Sequence, residues 1–262
     1  VQTCALPICS PALAADPSSA AAPLRGRVVL ITGGSRGLGA AIAQVLGEAG
    51  AQIVLADIAL QRAQDTAAAL AEHDVAALAM TLDVGDAAQC EYTVQTVHRQ
   101  FGRLDALVNN AAVDVTAPIG EITPADWNRE LATNLGGPFL MSKYAAAVMA
   151  AQAEGGHIVN IASTASKRAW PNASAYHATK WGLLGLSHAL HAELRPQGVK
   201  VCAIVAGGMR TPFLLDRFPD LDPQLLQDPL HVARVVRFVL SQPPDTTIPE
   251  VTVLPPRETS WP

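Results

Sequence analysis

A glycine-rich turn between an apolar run and a helical pattern constrains the fold of this chain more than any other feature. The apolar run Arg27 to Ile31 is rich in β-branched residues, and the turn that follows reads Thr32-Gly33-Gly34-Ser35-Arg36-Gly37-Leu38-Gly39. A helical pattern then runs from Ala40 to Ala49. Glycines let the backbone approach a phosphate closely, and free N–H groups at the start of a helix attract an anion. The sequence therefore predicts a strand, a turn and a helix that bind a pyrophosphate.

The same turn allows a second interpretation. Gly33 to Gly37 matches G-x-S-x-G, the nucleophile elbow of serine hydrolases, in which Ser35 would be the nucleophile. An elbow requires neither Gly39 nor an acid after the next strand. The sequence also supplies no convincing histidine and acid to partner Ser35, so the hydrolase is the weaker alternative.

An acid at the end of the second predicted strand bears on the choice of cofactor. Asp57 follows the strand Gln52 to Ala56 and lies about 20 residues past the glycines, where a carboxylate can bind both ribose hydroxyls of an adenosine and repel a 2′-phosphate. This favours NAD over NADP. Asp57 can also serve as the N-cap of the helix Leu60 to Ala71. Arg36 can attract a 2′-phosphate, so NADP(H) stays possible.

Strands alternate with helices along the rest of the chain, and the strands are apolar throughout. This pattern is typical of an α/β domain with a parallel sheet covered on both faces, here of seven strands. The remaining predicted strands are Val75–Leu82, Leu104–Val108, Gly156–Ile161, Val199–Val205 and Ile248–Leu254. The remaining predicted helices are Asp86–Phe101, Thr123 to about Ala153 in two pieces around Gly136-Gly137-Pro138, Ser174–Leu194 and Leu230–Leu240, with a loop from Pro212 to Pro229.

Composition excludes several classes of protein. The 262 residues are 50% hydrophobic and carry a formal net charge of -5, which disfavours a nucleic-acid partner, and no apolar run is long enough to span a bilayer. Cys4, Cys9, Cys90 and Cys202 form no C-x-x-C pair, which favours a reducing, cytoplasmic setting. The histidines at 188 and 191 lack a third ligand at a sensible spacing, so we expect no metal site.

The first residues are set apart from the domain. The peptide Val1 to Ile8 can be encoded by a string that resembles a common short-read sequencing adapter, which favours an artefact. The competing interpretation is the end of a signal peptide, with an A-x-A-like site at Ala12-Leu13-Ala14. We expect residues 1–23 to be a disordered lead-in, residues 24–256 to form one domain, and residues 257–262 to form a tail.

A tyrosine and a lysine lie four positions apart in the predicted helix Ser174 to Leu194. Tyr176 and Lys180 share one face of that helix, so their polar ends can serve one site. A phenol titrates near pH 10 in water, and a nearby ammonium favours the phenolate. The pair can therefore act as a general acid and base near neutral pH.

These motifs, in this order and at this spacing, resemble the classical short-chain dehydrogenase/reductase family from about Leu24 to Leu254. The resemblance rests on Thr32-Gly33-x-x-x-Gly37-x-Gly39, Asp57, Asp83-Val84, Asn109-Asn110-Ala111, Asn134, Ser163 and Tyr176-x-x-x-Lys180. It implies a single Rossmann-type, doubly wound domain. It also implies an NAD(P)-dependent oxidoreductase that interconverts a secondary alcohol and a ketone by hydride transfer.

The resemblance also implies a role for each residue of the site. Tyr176 would be the general acid/base, and Lys180 would lower its pKa and hold the nicotinamide ribose. Ser163 would hydrogen-bond the reacting oxygen, and Asn134 would anchor a water that relays the proton. The implied cofactor contacts are Thr32, Gly33, Ser35, Arg36, Gly37, Leu38, Gly39, Asp57, Asp83, Val84, Asn110, Ala111, Tyr176, Lys180, Gly207 and Thr211.

The chain departs from the family pattern in three places. Ala112 stands where the family has glycine, Ala206-Gly207 replaces Pro-Gly, and the usual Val-Asp-Gly-Gly ending is absent. The C-terminal region often helps to build a tetramer in the family, so a homo-oligomer is expected without a choice between dimer and tetramer.

An apolar cluster in the predicted loop after the sixth strand bears on the substrate. We interpret it as a lid over a substrate with some apolar bulk, and packing of the loop against the core is an equal alternative; its members are Met209, Phe213, Leu214, Leu215 and Phe218. The runner-up function is a non-catalytic or regulatory nucleotide-binding protein on the same fold.

Overall fold

Seven parallel strands form one sheet in the computed structural model, which describes residues 22–258. The strands are β1 (Val28–Thr32), β2 (Gln52–Asp57), β3 (Ala77–Thr81), β4 (Ala106–Asn109), β5 (Gly156–Ser163), β6 (Val199–Ala206) and β7 (Glu250–Val253). Their spatial order is β3-β2-β1-β4-β5-β6-β7. The order reverses between β1 and β4, and the carboxyl ends of parallel strands at such a reversal are where ligands bind in open α/β sheets.

Helices cover both faces of the sheet. They are α1 (Gly37–Glu48), α2 (Leu60–Ala71), α3 (Ala87–Phe101), α4 (Pro124–Leu131), α5 (Gly137–Ala150), α6 (Ser174–Leu194), α7 (Pro212–Leu215) and α8 (Pro229–Leu240). Alternate residues of each strand point to opposite faces. Val29 and Ile31 of β1 therefore pack in the cluster that holds α1 and α8, while Val28 and Leu30 pack in the cluster that holds α3 and α5. The predicted doubly wound α/β fold with a seven-stranded parallel sheet is confirmed.

The predicted elements agree best in two of the helices. The helices α2 and α6 match their predicted bounds residue for residue. The strand β5 runs two residues further than predicted, to Ser163, because its register with β6 continues to Ser163 opposite Ala206.

The loop predicted from Pro212 to Pro229 is partly helical, which corrects the prediction. It contains α7 and a 3-10 turn at Pro223–Leu225, and each begins with a proline whose missing N–H would have no partner there. The last strand is shorter than predicted, Glu250–Val253 rather than Ile248–Leu254. Its register opposite β6 begins at Glu250, directly after a proline that cannot donate a ladder hydrogen bond.

The break expected near Gly136 is a single π-helical turn. Residues Ala132–Gly136 join α4 to α5, and the Gly137 N–H donates to Ala132 O, five residues back. Pro138 has no N–H to donate to the carbonyl of Asn134 four residues back, so regular α-helical pairing is interrupted here. Asn134 therefore sits at the centre of a turn set by its neighbours.

A buried chain of polar side chains ties β4 and β5 to the helices below the site. Asn109 Nδ2 donates to Ser142 Oγ of α5 at 3.1 Å and to Asn160 Oδ1 of β5 at 2.8 Å. Asn160 Nδ2 donates to Ser187 Oγ of α6 at 2.9 Å. These four side chains are at most 3% exposed. Because buried donors are costly when unpaired, this network of hydrogen bonds fixes α6 at one position on the sheet.

Within residues 22–258, no helix combines the length and the apolar character needed to cross a membrane. Cys90 and Cys202 are buried free thiols in this part of the chain. The predictions about the lead-in fall outside the described residues, except at its last two positions, and the last four residues also lie outside them.

Replacement of Asn160 by Val tests the buried polar chain. The variant leaves Asn109 Nδ2 and Ser187 Oγ each without one partner in a dry interior. We expect the free energy of unfolding to fall by about 2–4 kcal/mol, measured by urea denaturation.

Thr93→Val is the matched control, because Thr93 is 1% exposed and none of the described residues hydrogen-bonds its Oγ1. Its replacement by an isosteric apolar side chain should leave stability unchanged or raise it by up to about 1 kcal/mol. Equal destabilisation by both substitutions would contradict the role assigned to the Asn160 network.

Candidate active site

One elongated cavity of about 460 Å³ runs along the carboxyl edge of the sheet. One end lies at Asp57 and Arg62, and the other end lies at Ser163, Tyr176 and Phe213. The sequence-predicted residues that line it are Gly33, Ser35, Arg36, Gly37, Leu38, Asp57, Asp83, Val84, Asn110, Ala111, Ser163, Tyr176, Lys180 and Thr211. The structure therefore brings most of the predicted set to one continuous surface.

Four predicted residues lie just behind this surface. Thr32 Oγ1 accepts from the N–H groups of Asn110 and Ala111 at 3.1 Å each, so it holds the loop after β4. The Gly207 N–H donates to Val253 O at 2.9 Å, which ties the loop after β6 to β7. Gly39 packs against the glycine turn, and Asn134 holds the loop after β4 through hydrogen bonds to Val113. These residues position the lining rather than form it.

The glycine turn is packed so closely that side chains are excluded. Gly33 has φ +64°, and a Cβ on it would lie 2.8 Å from Ala111 Cα. A Cβ on Gly39 would lie 2.2 Å from Gly33 O. The start of α1 is thereby held against the end of β1, with its N–H groups toward the cavity. This cradle and the length of the cavity fit a dinucleotide cofactor.

Asp57 braces the turn from the neighbouring strand. Its Oδ2 accepts from the Ser35 N–H at 3.1 Å, and its Oδ1 accepts from the Ala59 N–H at 2.9 Å. The N-cap residue of α2 is Ala59, so the alternative of Asp57 as the helix cap is wrong. Each carboxylate oxygen keeps a second lone pair for a ligand hydroxyl.

The structure does not support a serine nucleophile at the turn. Ser35 is 3% exposed, and its Oγ has no hydrogen-bond partner among the described residues. A nucleophilic serine needs a histidine or another base within hydrogen-bond reach. Ser35 instead serves the turn through its backbone, which also accepts at O from Thr66 Oγ1 at 2.8 Å.

Tyr176 and Lys180 are buried on the inner face of α6. They are 8% and 3% exposed, and Lys180 Nζ lies 5.6 Å from the centre of the Tyr176 ring. Lys180 Nζ donates to Ile161 O of β5 at 2.9 Å. The predicted shared face is thus present, and the lysine is also fixed to the sheet.

Burial dominates the electrostatics of this pair. It raises the pKa of Tyr176, the charge of Asp114 raises it further, and a hydrogen bond with Ser163 acts in the opposite direction. Burial lowers the pKa of Lys180 to about 8, which the charge of Asp114 partly offsets. The sequence predicts that Lys180 lowers the pKa of Tyr176; in this structure burial raises that pKa, and the groups that lower it are Ser163 and Arg217.

Two side chains from α4 and the π turn clamp the loop after β4. Asn134 accepts at Oδ1 from the Val113 N–H at 2.8 Å and donates from Nδ2 to Val113 O at 2.7 Å. Glu130, one helical turn earlier, accepts at Oε1 from the Val115 N–H at 2.6 Å. The residue between them, Asp114, is therefore held in place from both sides.

Glu130 is an acid in an unusual environment. Its side chain is completely buried, and its Oε2 has no hydrogen-bond partner in the part of the chain that the structure describes. Burial raises the pKa of Glu130 to about 7, the Val115 hydrogen bond opposes the shift, and Asp114 adds to it. The carboxyl group therefore changes charge near neutral pH.

The helix α7 and the residues after it form the predicted lid. Phe213 lines the cavity, and its ring centre lies 6.2 Å from that of Tyr176. Two ion pairs tie this segment down: an exposed one between Asp216 and Arg36 at 3.2 Å, and one between Arg217 and the nearly buried Asp114. Met209 both lines the cavity and packs against the core, so it fits the lid and the alternative of packing equally well.

Sequence reasoning missed several residues of the site. Arg62 and Arg129 line the cavity, and Glu130, Asp114 and Arg217 lie close enough to Tyr176 to shift its pKa. Arg129 is one helical turn before Thr133, a further lining residue, and this spacing was an available signal. The positions of Asp114 and Arg217 depend on loops, for which no periodic signal exists.

The histidines at 188 and 191 do not form a metal site. His188 Nε2 lies 3.1 Å from Glu250 Oε2, a packing role across α6 and β7. Across residues 22–258 no group of three or more His, Cys, Asp or Glu side chains is placed to hold a metal ion.

The sheet, the glycine turn and the Tyr176–Lys180 helix define an α/β domain with a cavity suited to a dinucleotide. The profile of the short chain dehydrogenase family matches residues 27–222. The chain belongs to the short-chain dehydrogenase/reductase family. It is an NAD(P)-dependent oxidoreductase that acts on CH–OH groups and interconverts a secondary alcohol and a ketone.

Three of the similar proteins are named as dehydrogenases of galactitol, sorbitol and threitol. The chain is 40% identical over 184 residues to galactitol 2-dehydrogenase of Agrobacterium fabrum, covering 70% of this chain and 71% of that protein. It is 39% identical over 184 residues to sorbitol dehydrogenase of Cereibacter sphaeroides, with 70% and 71% covered. It is 41% identical over 181 residues to D-threitol dehydrogenase of Mycolicibacterium smegmatis, with 69% of each covered.

Solved structures show the same fold. Levodione reductase superposes with a TM-score of 0.84 at 30% identity, covering 91% of this chain and 100% of that one. A metagenomic short-chain oxidoreductase in complex with NADP superposes with a TM-score of 0.79 at 33% identity, with 89% and 98% covered.

The raised pKa of Glu130 predicts a pH-dependent stability. An acid with a raised pKa in the folded state binds more protons there than in the unfolded chain, so its stabilising effect is present below about pH 4.5 and is lost as the pH rises through 7. Glu130→Gln lacks this titration. We expect the wild type to lose about 1–3 kcal/mol relative to this variant between pH 5 and pH 8, measured by urea denaturation.

Glu154→Gln is the control, because the Glu154 side chain is 80% exposed in its ion pair with Arg103. This control should follow the wild type at both pH values. A constant difference between wild type and Glu130→Gln across the range would show that Glu130 does not titrate near neutral pH.

Proposed function

We propose that this enzyme oxidises a secondary hydroxyl of a polyol to a ketone, and reduces the ketone in the reverse direction. The observation that carries the proposal is the buried Tyr176–Lys180 pair beside Ser163 at the lid end of a cofactor-sized cavity. The polyol class is supported by the galactitol, sorbitol and threitol dehydrogenases among the relatives. The charged groups near the lid also suit a polar substrate better than a hydrocarbon.

Each residue of the proposed catalytic set acts on one oxygen or on its proton. Tyr176 Oη accepts the hydroxyl proton during oxidation and returns it during reduction, and Ser163 Oγ donates a hydrogen bond to the same oxygen. Donors fixed before the reaction stabilise the charge that develops on this oxygen. When bound, the nicotinamide cofactor accepts or supplies the hydride.

Lys180 and Asn134 have supporting roles in this proposal. Lys180, with its pKa lowered to about 8 by burial, can be an ammonium near neutral pH and favours the phenolate of Tyr176. Asn134 uses its side chain to hold Val113, and its carbonyl cannot receive an α-helical hydrogen bond from Pro138. That carbonyl is the group we propose to anchor the water of a proton relay.

For the cofactor we propose NAD(H), with NADP(H) as the alternative. Asp57 at the end of the cavity supports NAD(H), because its carboxylate can bind ribose hydroxyls and repels a 2′-phosphate. Arg36 and Arg62 at the same end support NADP(H), as does the NADP in the solved metagenomic relative. The pairing of Arg36 with Asp216 reduces its availability for a phosphate.

The second candidate from the sequence, a non-catalytic nucleotide-binding protein, is not supported, because relatives are named dehydrogenases and Ser163, Tyr176 and Lys180 all line the cavity. A cytoplasmic location and a homo-oligomer stay predictions from the sequence.

Tyr176→Phe tests the mechanism. The ring and its packing on Phe213 are retained, and only the hydroxyl that exchanges the proton is lost. We expect kcat for polyol oxidation, assayed over a panel of sugar alcohols with NAD and NADP, to fall by about 10²–10⁴-fold.

Tyr144→Phe provides the matched control, because Tyr144 lies on α5 and does not line the cavity. It should keep near wild-type turnover. Turnover by Tyr176→Phe equal to that of the control would eliminate Tyr176 as the acid/base, and cofactor binding without turnover by the wild type would favour the second candidate.

Asp57→Asn tests the cofactor preference. The amide no longer repels a phosphate and binds ribose hydroxyls less strongly than a carboxylate. We expect NADH affinity to fall roughly tenfold and the preference to shift toward NADPH, measured by fluorescence titration of both cofactors.

Asp216→Asn is the companion variant, because it frees Arg36 without changing Asp57. It should strengthen NADPH binding by a few fold, as expected from an exposed ion pair, and leave NADH binding unchanged. Tighter NADPH than NADH binding by the wild type would show that the arginines outweigh Asp57.

A further inference from the structure

We infer that Asp114 and Arg217 form a hydroxyl-binding subsite beside Tyr176, which recognises a second hydroxyl on the carbon next to the reacting one. The inference rests on the proposed function, and it names the residues that would make the enzyme prefer vicinal diols to simple alcohols.

The first observation is an incompletely paired carboxylate in a dry place. The Asp114 side chain is 8% exposed, and its Oδ2 pairs with the guanidinium of Arg217. Its Oδ1 is buried and has no hydrogen-bond partner within residues 22–258. A buried carboxylate oxygen without a donor is costly, so a hydroxyl that donates to this oxygen would stabilise it.

The second observation is that this carboxylate is held rigidly. The N–H groups of its two neighbours, Val113 and Val115, donate to Asn134 and Glu130. Val113 lines the cavity, and Asp114 lies directly behind that lining. A rigid backbone on both sides lets Asp114 present its free oxygen in one direction, as substrate recognition requires.

The third observation places Asp114 within electrostatic reach of the acid/base pair. Its charge raises the pKa of both Tyr176 and Lys180. The geometry agrees, because Val113, which precedes Asp114, and Phe213, whose ring centre lies 6.2 Å from that of Tyr176, both line the cavity.

Arg217 completes the subsite from the lid. Its Nε donates to Phe213 O at 2.8 Å, and its guanidinium lies 4.4 Å from the centre of the Phe213 ring. Since Phe213 lines the cavity and packs toward Tyr176, the guanidinium is carried by the lid residue nearest the acid/base.

A hydroxyl suits a carboxylate and a guanidinium together. Its proton can be donated to Asp114 Oδ1 while its oxygen accepts from Arg217, so one group satisfies both partners. A methylene or methyl group at the same position can do neither, and sites built to hydrogen-bond a hydroxyl reject analogues that lack it.

Anchoring of the lid alone does not account for these contacts. The pair Asp216–Arg36 already ties the same short segment to the glycine turn. An anchoring ion pair would also have no need for a buried oxygen that lacks a partner. The two ion pairs of the lid therefore provide a test, because only one of them lies at the proposed subsite.

The experiment compares reduction of 3-hydroxybutan-2-one with reduction of butan-2-one, using NADH and NADPH. The readout is the ratio of the two kcat/KM values, which is insensitive to the fraction of folded enzyme. We expect the wild type to favour the hydroxyketone by at least about tenfold, as for a hydrogen bond to a charged group. Asp114→Ala should bring the ratio close to one, and Asp114→Asn, which keeps the shape, should lower it in part.

Asp216→Asn serves as the matched control, since it removes the other ion pair of the lid and should keep the wild-type ratio. An unchanged ratio in both Asp114 variants, or an equal loss in Asp216→Asn, would overturn the subsite while leaving the proposed activity intact. Turnover of neither ketone by the wild type would instead count against the proposed function, and against the subsite with it.

Discussion

The contact between α6 and β5 is the constraint on which the site depends. Lys180 Nζ donates a hydrogen bond to Ile161 O. Asn160 of the same strand donates to Ser187, which lies about two helical turns after Lys180. These buried hydrogen bonds fix both the distance and the rotation of the helix relative to the sheet. Because Ser163 ends that strand and Tyr176 begins that helix, the two groups that meet the reacting oxygen are placed by the same pair of elements. The relative position of these two groups is therefore set by contacts in the core.

The pKa values of the acid/base pair are set by burial together with the charges of Asp114 and Arg217. Burial drives Tyr176 and Lys180 toward their neutral forms, Asp114 favours the proton on both, and Arg217 opposes this effect at Tyr176. These charges come from loops rather than from the sheet. The scaffold therefore sets where the proton transfer occurs, and the loops adjust how readily it occurs and which substrate arrives.

The sequence predicts the scaffold and the cofactor end of the site well because both depend on local patterns. Apolar strands, capped helices and the glycine turn each carry a signal within a few residues, and α6 was predicted to the residue. The lid end could not be predicted in the same way. Asp114 and Arg217 lie far apart in the chain, and the loops that bring them together have no periodicity. The helix α7 was missed because four residues are too few to show a helical period.

The π turn at Ala132–Gly136 has a consequence for how chains of this kind can vary in length. A π turn holds one residue more than an α turn, so loss of a single residue here would remove the π turn. The same loss would rotate α4 by about 100° relative to α5. Glu130 would then turn away from Val115, and the loop after β4 would lose one of its two clamps. Insertions and deletions are therefore expected to accumulate in surface loops and to spare this stretch, whichever alcohol a relative oxidises.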